Sequence, residues 1–349
     1  MKGKRKSLQK RNRSRKWLIG AAALAAVFLL LPLTILMLTR PWEEDGESGT
    51  EISFDDRDSL FDEVTKVEVL MGDEVVEMTL SEYLTGALGG EMPALYPKEA
   101  LKAQAIAIRT NVMYKKKLRQ EKPAGASHKN ADVCAESSHC MAYAPEEKLR
   151  EKWGDDYDEY LALIRDAVKE SDGVIVTYQG DPISAIFHAV SSGRTESAED
   201  VWGSGIPYLL SVDSPWDKDH ARYETRVTLE DEEFKDIFLG KYPDAVFPES
   251  AEGWIESVTR SEAGGIKELT VAGVTLSGRA FRSLYGLRSA NIAFSFEGGE
   301  ITMTVHGYGH GVGMSQFGAR GMALEGRTAE EIVTWYYTGC ETVRLSPPL

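Results

Sequence analysis

The sequence predicts an α+β fold: a two-lobed body of mixed helix and antiparallel strand with a substrate cleft, behind one N-terminal transmembrane helix. Three observations point there. Strands and helices follow one another without strict β–α alternation, which argues against a doubly wound sheet. The stretch from Lys98 to Tyr114 is rich in alanine and apolar nearly all round, as a central packed helix requires. Trp254 to Val305 is strand-rich, with turns at Gly264-Gly265 and Gly298-Gly299.

The elements follow in chain order. Residues 1–16 carry nine Lys or Arg and no acid, and 17–39 run 23 residues without a charge. At about 1.5 Å per residue that run spans a hydrocarbon core of roughly 30 Å. The basic flank places the N-terminus in the cytoplasm and the body outside. Met37 to Pro41 lacks the small residues of a signal-peptidase site, so the segment reads as a retained anchor. Residues 40–62 form an acidic linker, and 63–349 form the body, with a strand-rich second lobe over about 205–300.

Within the body, Thr65 to Leu80 alternates around Gly72-Asp73 and predicts a hairpin. Ser81 to Leu88 predicts a short helix capped by Ser81, and Lys98 to Tyr114 a helix entered after Pro97. Tyr157 to Val168 predicts another helix. Gly173 to Tyr178 and Ile183 to Val190 predict paired strands around Gly180-Asp181. Val227 to Phe238, capped by Thr228, and Gly278 to Tyr285 read as helical. Thr328 with Glu331 is a capping box for a last helix that stops at Gly339.

Formal charge is −15 for the chain; without the nine basic tail residues, 31 basic face 55 acidic side chains, or −24. A body this acidic excludes nucleic acid as a partner held by charge, and membrane contact is expected through the anchor alone.

Four groups of residues could carry chemistry. Glu91, in Glu91-Met92-Pro93, stands at the mouth of the apolar helix, where burial can raise a carboxyl pKa and let the acid donate a proton. Lys102 and Arg109, seven apart, share one face of that helix, with Gln104 elsewhere on the wheel. A structural ion pair between Glu91 and Arg109 competes with the acid reading. The run His306 to Gln316 alternates glycine with Tyr308, His310 and other large groups, suited to a ligand groove or a tight turn. Phe187-His188 leads into Ser191 and Gly193. A Ser191 nucleophile activated by His188 is disfavoured, because no Gly-x-Ser-x-Gly elbow or orienting acid is marked. His128, Cys134, His139 and Cys140 are a tetrahedral zinc ligand set by type, with a Cys134–Cys140 disulfide as the competing reading. Cys340 reads as a buried thiol.

These pieces, taken in order, resemble the SpoIID/LytB-type lytic transglycosylase family, the stage II sporulation protein D group of endospore formers. The matching residues are Glu91-Met92-Pro93, Glu99 to Ala105, Ala107-x-Arg109-Thr110, Phe187-His188 with Ser191, Gly193 and Thr195-Glu196, and His306 through Gln316. Together they span roughly 65–339.

The resemblance implies cleavage between N-acetylmuramic acid and N-acetylglucosamine of peptidoglycan, giving 1,6-anhydro ends, during engulfment in endospore formation. Glu91 is then general acid and afterwards base. Lys102, Gln104, Arg109, His188, Ser191, Gly193, Tyr308, His310, Gly311 and Gln316 are the implied substrate contacts. Glu99 and Glu196 read as solvated. It also implies structural zinc on His128, Cys134, His139 and Cys140. Implied partners are a SpoIIP-like amidase/endopeptidase and a SpoIIM-like membrane protein, at the mother-cell engulfing membrane. Two other functions remain open: a glycan binder that stimulates a partner amidase, and a zinc hydrolase using His306 and His310.

Overall fold

The computed structural model describes residues 60–121, 128, 130–136 and 139–347. The basic tail, the apolar span and nearly all of the acidic linker lie outside these. Among the described residues no helix is long and apolar enough to cross a membrane.

The body is mixed helix and mainly antiparallel sheet. A single helical turn, Phe61–Val64, leads into strands β1 (Lys66–Met71) and β2 (Glu74–Thr79), paired antiparallel from Lys66↔Thr79 to Met71↔Glu74 as the predicted hairpin. Helix α1 (Leu80–Glu91) follows. Its cap is Thr79 rather than Ser81: Thr79 accepts from the Glu82 N–H while the Glu82 carboxylate takes the Thr79 N–H. Helix α2 (Lys98–Glu121) runs about two turns beyond the expected end at Tyr114. Small side chains let it sit at the centre. Leu101, Ala105, Ile108 and Val112 pack into one hydrophobic cluster with α1, and Ala100, Ala103, Ile106 and Ala107 into a second.

A loop then places β3 (Val133–Cys134) parallel to β1. Helices α3 (Glu146–Trp153) and α4 (Tyr157–Glu170) close over α1 and α2; α3 had no expectation attached to it. Strand β4 (Val174–Tyr178) pairs with the short β5 (Asp181–Pro182), but the partner strand expected to reach Val190 does not form. The chain instead leaves that sheet, and β6 (Phe187–His188) pairs parallel with β13 (Met314–Ser315), 127 positions on in the register Phe187↔Met314.

After α5 (Ala198–Trp202), strand β7 occupies Glu224–Glu230, where a helix was expected. Its exposure alternates strictly, so the period-2 pattern of Thr225, Val227 and Leu229 prevails. The helix begins only at Asp231, as α6 (Asp231–Lys241), whose first turn carries three acids. Strands β8 (Ile255–Arg260), β9 (Ile266–Val271) and β10 (Val274–Ser277) form one antiparallel sheet. Strands β11 (Ile292–Glu297) and β12 (Glu300–His306) form another with β7. With α7 (Gly278–Leu284) they enclose a third hydrophobic cluster of Phe234, Phe238, Trp254, Leu269, Phe281, Met303 and neighbours. Helices α8 (Gln316–Leu324) and α9 (Ala329–Tyr336) return to α2, α9 through the expected Thr328–Glu331 capping box, before β14 (Glu341–Arg344) joins β4.

Candidate functional site

The β6–β13 pairing builds the site, because it lays two loops distant in sequence against each other. Tyr308 exchanges both backbone hydrogen bonds with Val190, at 2.7 and 3.0 Å, and the Glu196 N–H donates to Gly311 O at 2.8 Å. Gly311 has φ +80°, and a Cβ there would stand 2.7 Å from Glu196 Cγ. Glycine is therefore required twice over, for its backbone angle and for the close approach.

Glu91 is the last residue of α1 and is half-buried. Its Oε1 accepts from the Ala142 N–H at 2.6 Å. The helix meets that segment closely: a Cβ on Gly90 would fall 2.2 Å from Ala142 O. Burial raises the Glu91 pKa above the ordinary carboxyl value; the Ala142 N–H, the neighbouring Gln316 amide and the Lys152 ammonium each oppose the rise. Lys152 is held over the end of α1, donating to Gly89 O at 2.8 Å. Gln316, the first residue of α8, is buried, and its Nε2 makes no well-formed hydrogen bond.

His188 and His310 stand with ring centres 5.8 Å apart. Burial pushes their pKa values down, to about 3 and about 4, so both imidazoles are neutral at pH 7. His188 Nδ1 donates to Val312 O at 3.1 Å, which leaves the buried Nε2 as an acceptor without a partner. His310 Nδ1 accepts from the Val312 N–H, and Trp202 lies against its ring. Tyr308 is exposed beneath the Arg288 guanidinium. Gln104 is wholly buried and neither of its amide atoms has a partner.

Four expected substrate contacts are engaged within the protein, and of these Ser191 also lines the cavity described below. Arg109 is fully buried and bonds Asp62 through Nε (2.8 Å) and Nη2 (2.5 Å), with Nη1 on Val174 O. Its carboxylate partner is Asp62 and not Glu91. Lys102 bonds Glu99 at 2.8 Å, and Glu99 also accepts from the Ala329 N–H at the start of α9. Ser191 turns its hydroxyl inward to Asp217 Oδ2 at 2.6 Å. Gly193 forms the turn beside it: its N–H donates to Ser191 Oγ, at φ +97°.

Two acids were missed. Asp217 is fully buried and gathers the hydroxyls of Ser191, Ser214 and Ser315, each at 2.6 Å. The Ser residues flanking both motifs were its only signal. Glu196, expected to be solvated, is only 8% exposed. Its Oε1 accepts from the Gly265 N–H and its Oε2 has no partner, and burial raises its pKa. It lines a cavity of about 430 Å³ that runs from His139 and Cys140 past Gly309–Gly311 to α7.

His128, Cys134, His139 and Cys140 come together with their ligand atoms all within 4.8 Å of one another. The His128 Nε2–Cys140 Sγ separation is 3.2 Å, and His139 Nδ1 lies 3.6 Å from both sulfurs. A tetrahedral centre with bonds of about 2.0–2.3 Å separates its ligands by similar distances, so the set fits a metal ion. The three cysteines are free, so the disulfide reading does not hold here. Lys115 donates to Cys140 Sγ at 2.8 Å, a charge-compensating contact from α2.

The fold and site define an α+β protein with a protonatable carboxyl at a helix end, a glycine–histidine ribbon beside it and a metal-ready His/Cys loop. The chain belongs to the stage II sporulation protein D family. The family profile, SpoIID (Stage II sporulation protein), matches residues 72–178. Stage II sporulation protein D of Bacillus subtilis (strain 168) is 36% identical over 340 residues, covering 94% of this chain and 95% of its own. That of Bacillus amyloliquefaciens is 38% identical over 267 residues, 76% of this chain and 75% of its own. The amidase enhancer of Bacillus subtilis (strain 168) is 24% identical over 305 residues, 73% of this chain and 39% of its own.

Proposed function

We propose that this protein is a membrane-anchored peptidoglycan lytic transglycosylase acting in sporulation, with Glu91 as the single proton carrier. The observation that carries the reading is the state of Glu91. It is a half-buried carboxyl with a raised pKa, held by one backbone N–H and not by a guanidinium. Such a group can be protonated when it meets a glycosidic oxygen.

Glu91 protonates the leaving oxygen as the bond to the muramyl C1 breaks with oxocarbenium character. The resulting carboxylate then takes the proton of the sugar's own 6-hydroxyl, which closes on C1. No water enters, so the second carboxylate of hydrolytic glycosidases has no task in this step. Glu196 is placed in the saccharide crevice as a contact and not as a second catalytic acid. The Gln316 amide beside the acid favours its carboxylate form, and neutral His188 offers Nε2 to a sugar hydroxyl. His128, Cys134, His139 and Cys140 would hold a zinc ion in a structural role, since four protein ligands would leave no position for a reacting water. It would tie down the loop that carries Ala142. The body lies outside the cytoplasmic membrane, beside a SpoIIP-like amidase/endopeptidase and a SpoIIM-like membrane protein.

Similarity to an amidase enhancer favours a second reading, in which the chain holds glycan and stimulates a partner amidase without cutting. One experiment separates the two. Purified full chain is incubated with glycan strands stripped of stem peptides, and the soluble products are resolved by mass spectrometry. Wild type is expected to release anhydro-muramyl ends, and Glu91→Gln to release none while melting at the same temperature. Retention on insoluble glycan without fragments would establish the binder instead. Anhydro products at wild-type level from Glu91→Gln would remove Glu91 from the reaction.

A further inference from the structure

Three arginines gather around one imidazole beside the glycine–histidine ribbon. Arg288 lies over the exposed Tyr308 ring at 5.1 Å, and its carbonyl accepts from the Gly309 N–H. Arg320, in the second turn of α8, lies 5.1 Å from the Phe317 ring centre and 5.8 Å from that of Tyr96. His220 stands edge-on to Phe317 at 4.7 Å, and its Nδ1 accepts from the Arg222 N–H. Burial, and then the charges of Arg222, Arg288 and Arg320, lower the His220 pKa. The ring is therefore neutral at pH 7, and its Nε2–H is a further donor.

Among the described residues none of these three guanidinium groups has a carboxylate within 4.0 Å or a hydrogen-bond acceptor. Exposed Arg150 and Arg327 each meet a glutamate, and Arg194 meets Asp213 and Glu262. The exception falls in a body of formal charge −24, counted without the basic tail. An aromatic ring holds a guanidinium in place and leaves its charge whole. Fixed cations without an internal acceptor suit an anion from outside. Arg222 precedes β7, Arg288 follows α7 and Arg320 lies on α8, so the donors come from three directions. A tetrahedral phosphate presents oxygens in several directions, whereas a planar carboxylate faces one fork. The face also adjoins the acid. Gln316, whose amide neighbours Glu91, precedes Phe317, and the Phe317 and Tyr96 rings stand 6.5 Å apart. Aromatic rings there suit the apolar faces of a pyranose.

We propose that Arg288 and Arg320, with Arg222 and His220, form a phosphate-ester site that holds a glycan strand by a phosphorylated muramyl residue next to the cleaved one. The inference rests on the glycan-strand reading above and adds a second ligand group to it. Within a strand a muramyl residue has one free hydroxyl, at C6, so the ester sits there. The same hydroxyl must be free where the 1,6-anhydro ring closes. A phosphorylated muramyl residue is therefore held beside Glu91 without being cut at its own C1, and scission falls on an unesterified neighbour.

The test uses full chain carrying Glu91→Gln, purified in mild detergent, so that strands bind without being cut. Calorimetry compares a muramyl–glucosaminyl tetrasaccharide, the same tetrasaccharide bearing one muramyl 6-phosphate, glycerol 3-phosphate and inorganic phosphate. The phosphorylated strand is expected to bind about tenfold or more tighter than the plain strand and than either small phosphate. Arg288→Gln and Arg320→Gln should each shrink that advantage and together abolish it, while the plain strand binds as before. Arg222 is exposed and its guanidinium bonds nothing among the described residues, so Arg222→Gln, expected to remove part of the advantage, stays informative if the others melt early. Equal binding of the two strands by the parent protein, or an advantage that survives all three substitutions, overturns the assignment and leaves the glycan reading standing. An equal loss for both strands would make the arginines general glycan contacts and overturn it too. Either small phosphate binding as tightly as the phosphorylated strand would give the site to a lipid headgroup or a free anion, against the proposal. Failure of both tetrasaccharides to bind contradicts the glycan reading itself.

Discussion

Glu91 is governed by three neighbours that pull against its burial, and Lys152 is the one that can be removed without touching the reacting atoms. The acid works from its protonated form, so activity falls as pH rises through its raised pKa. Losing the Lys152 cation removes a force that favours the carboxylate. Lys152→Gln is therefore expected to move the alkaline limb of the pH–rate profile to higher pH; a shift to lower pH, or none, contradicts the assignment of that limb to Glu91. Residue by residue, the sequence located Glu91 through its position before the apolar helix, yet not its holder. Ala142 contributes a backbone N–H, and no side-chain pattern encodes that. Arg109 misled for the opposite reason. An arginine on an apolar helix demands an acid, but the acid proved to be Asp62, 47 positions earlier and outside every motif.

At the scale of elements, Arg109 and Asp62 fasten the first helical turn to α2, and Asp172 continues the network by accepting from the N–H groups of Phe61 and Asp62. Removing one partner leaves a buried charge, which costs about 3–5 kcal/mol. Arg109→Met should lower unfolding free energy by about that amount in urea titrations, while kcat/KM per folded molecule stays near wild type at low temperature. A large loss of kcat/KM in fully folded protein would restore a substrate role to Arg109. The elements that were legible had redundant local signals, as in the hairpin around Gly72-Asp73 and the Thr328–Glu331 box. Thr79 with Glu82 offered the same box signal and lies beside the Ser81 that was preferred. The pairing of β6 with β13 could not be read locally, because two-residue strands carry no period. It depends on a parallel alignment between segments 127 positions apart.

Across the whole molecule, the metal-ready loop and the acid are joined: Cys140 belongs to the four-residue cluster, and Ala142, two residues on, holds the Glu91 carboxylate. Zinc removal should therefore act on more than stability. Cys134→Ser is expected to bring bound zinc, measured by plasma emission, to background and to lower the melting temperature. Undiminished zinc in the variant would rule out this ligand set.

The central claim is that the sugar closes on itself under one acid, and water takes no part. Digestion of stripped glycan strands by the full chain in water labelled with heavy oxygen tests it most directly, with the new ends weighed by mass spectrometry. Closure by the 6-hydroxyl gives unlabelled ends, each lighter by one water than a reducing sugar. Labelled reducing ends, lost on Glu196→Gln as well as on Glu91→Gln, would show a two-carboxyl hydrolase and contradict it.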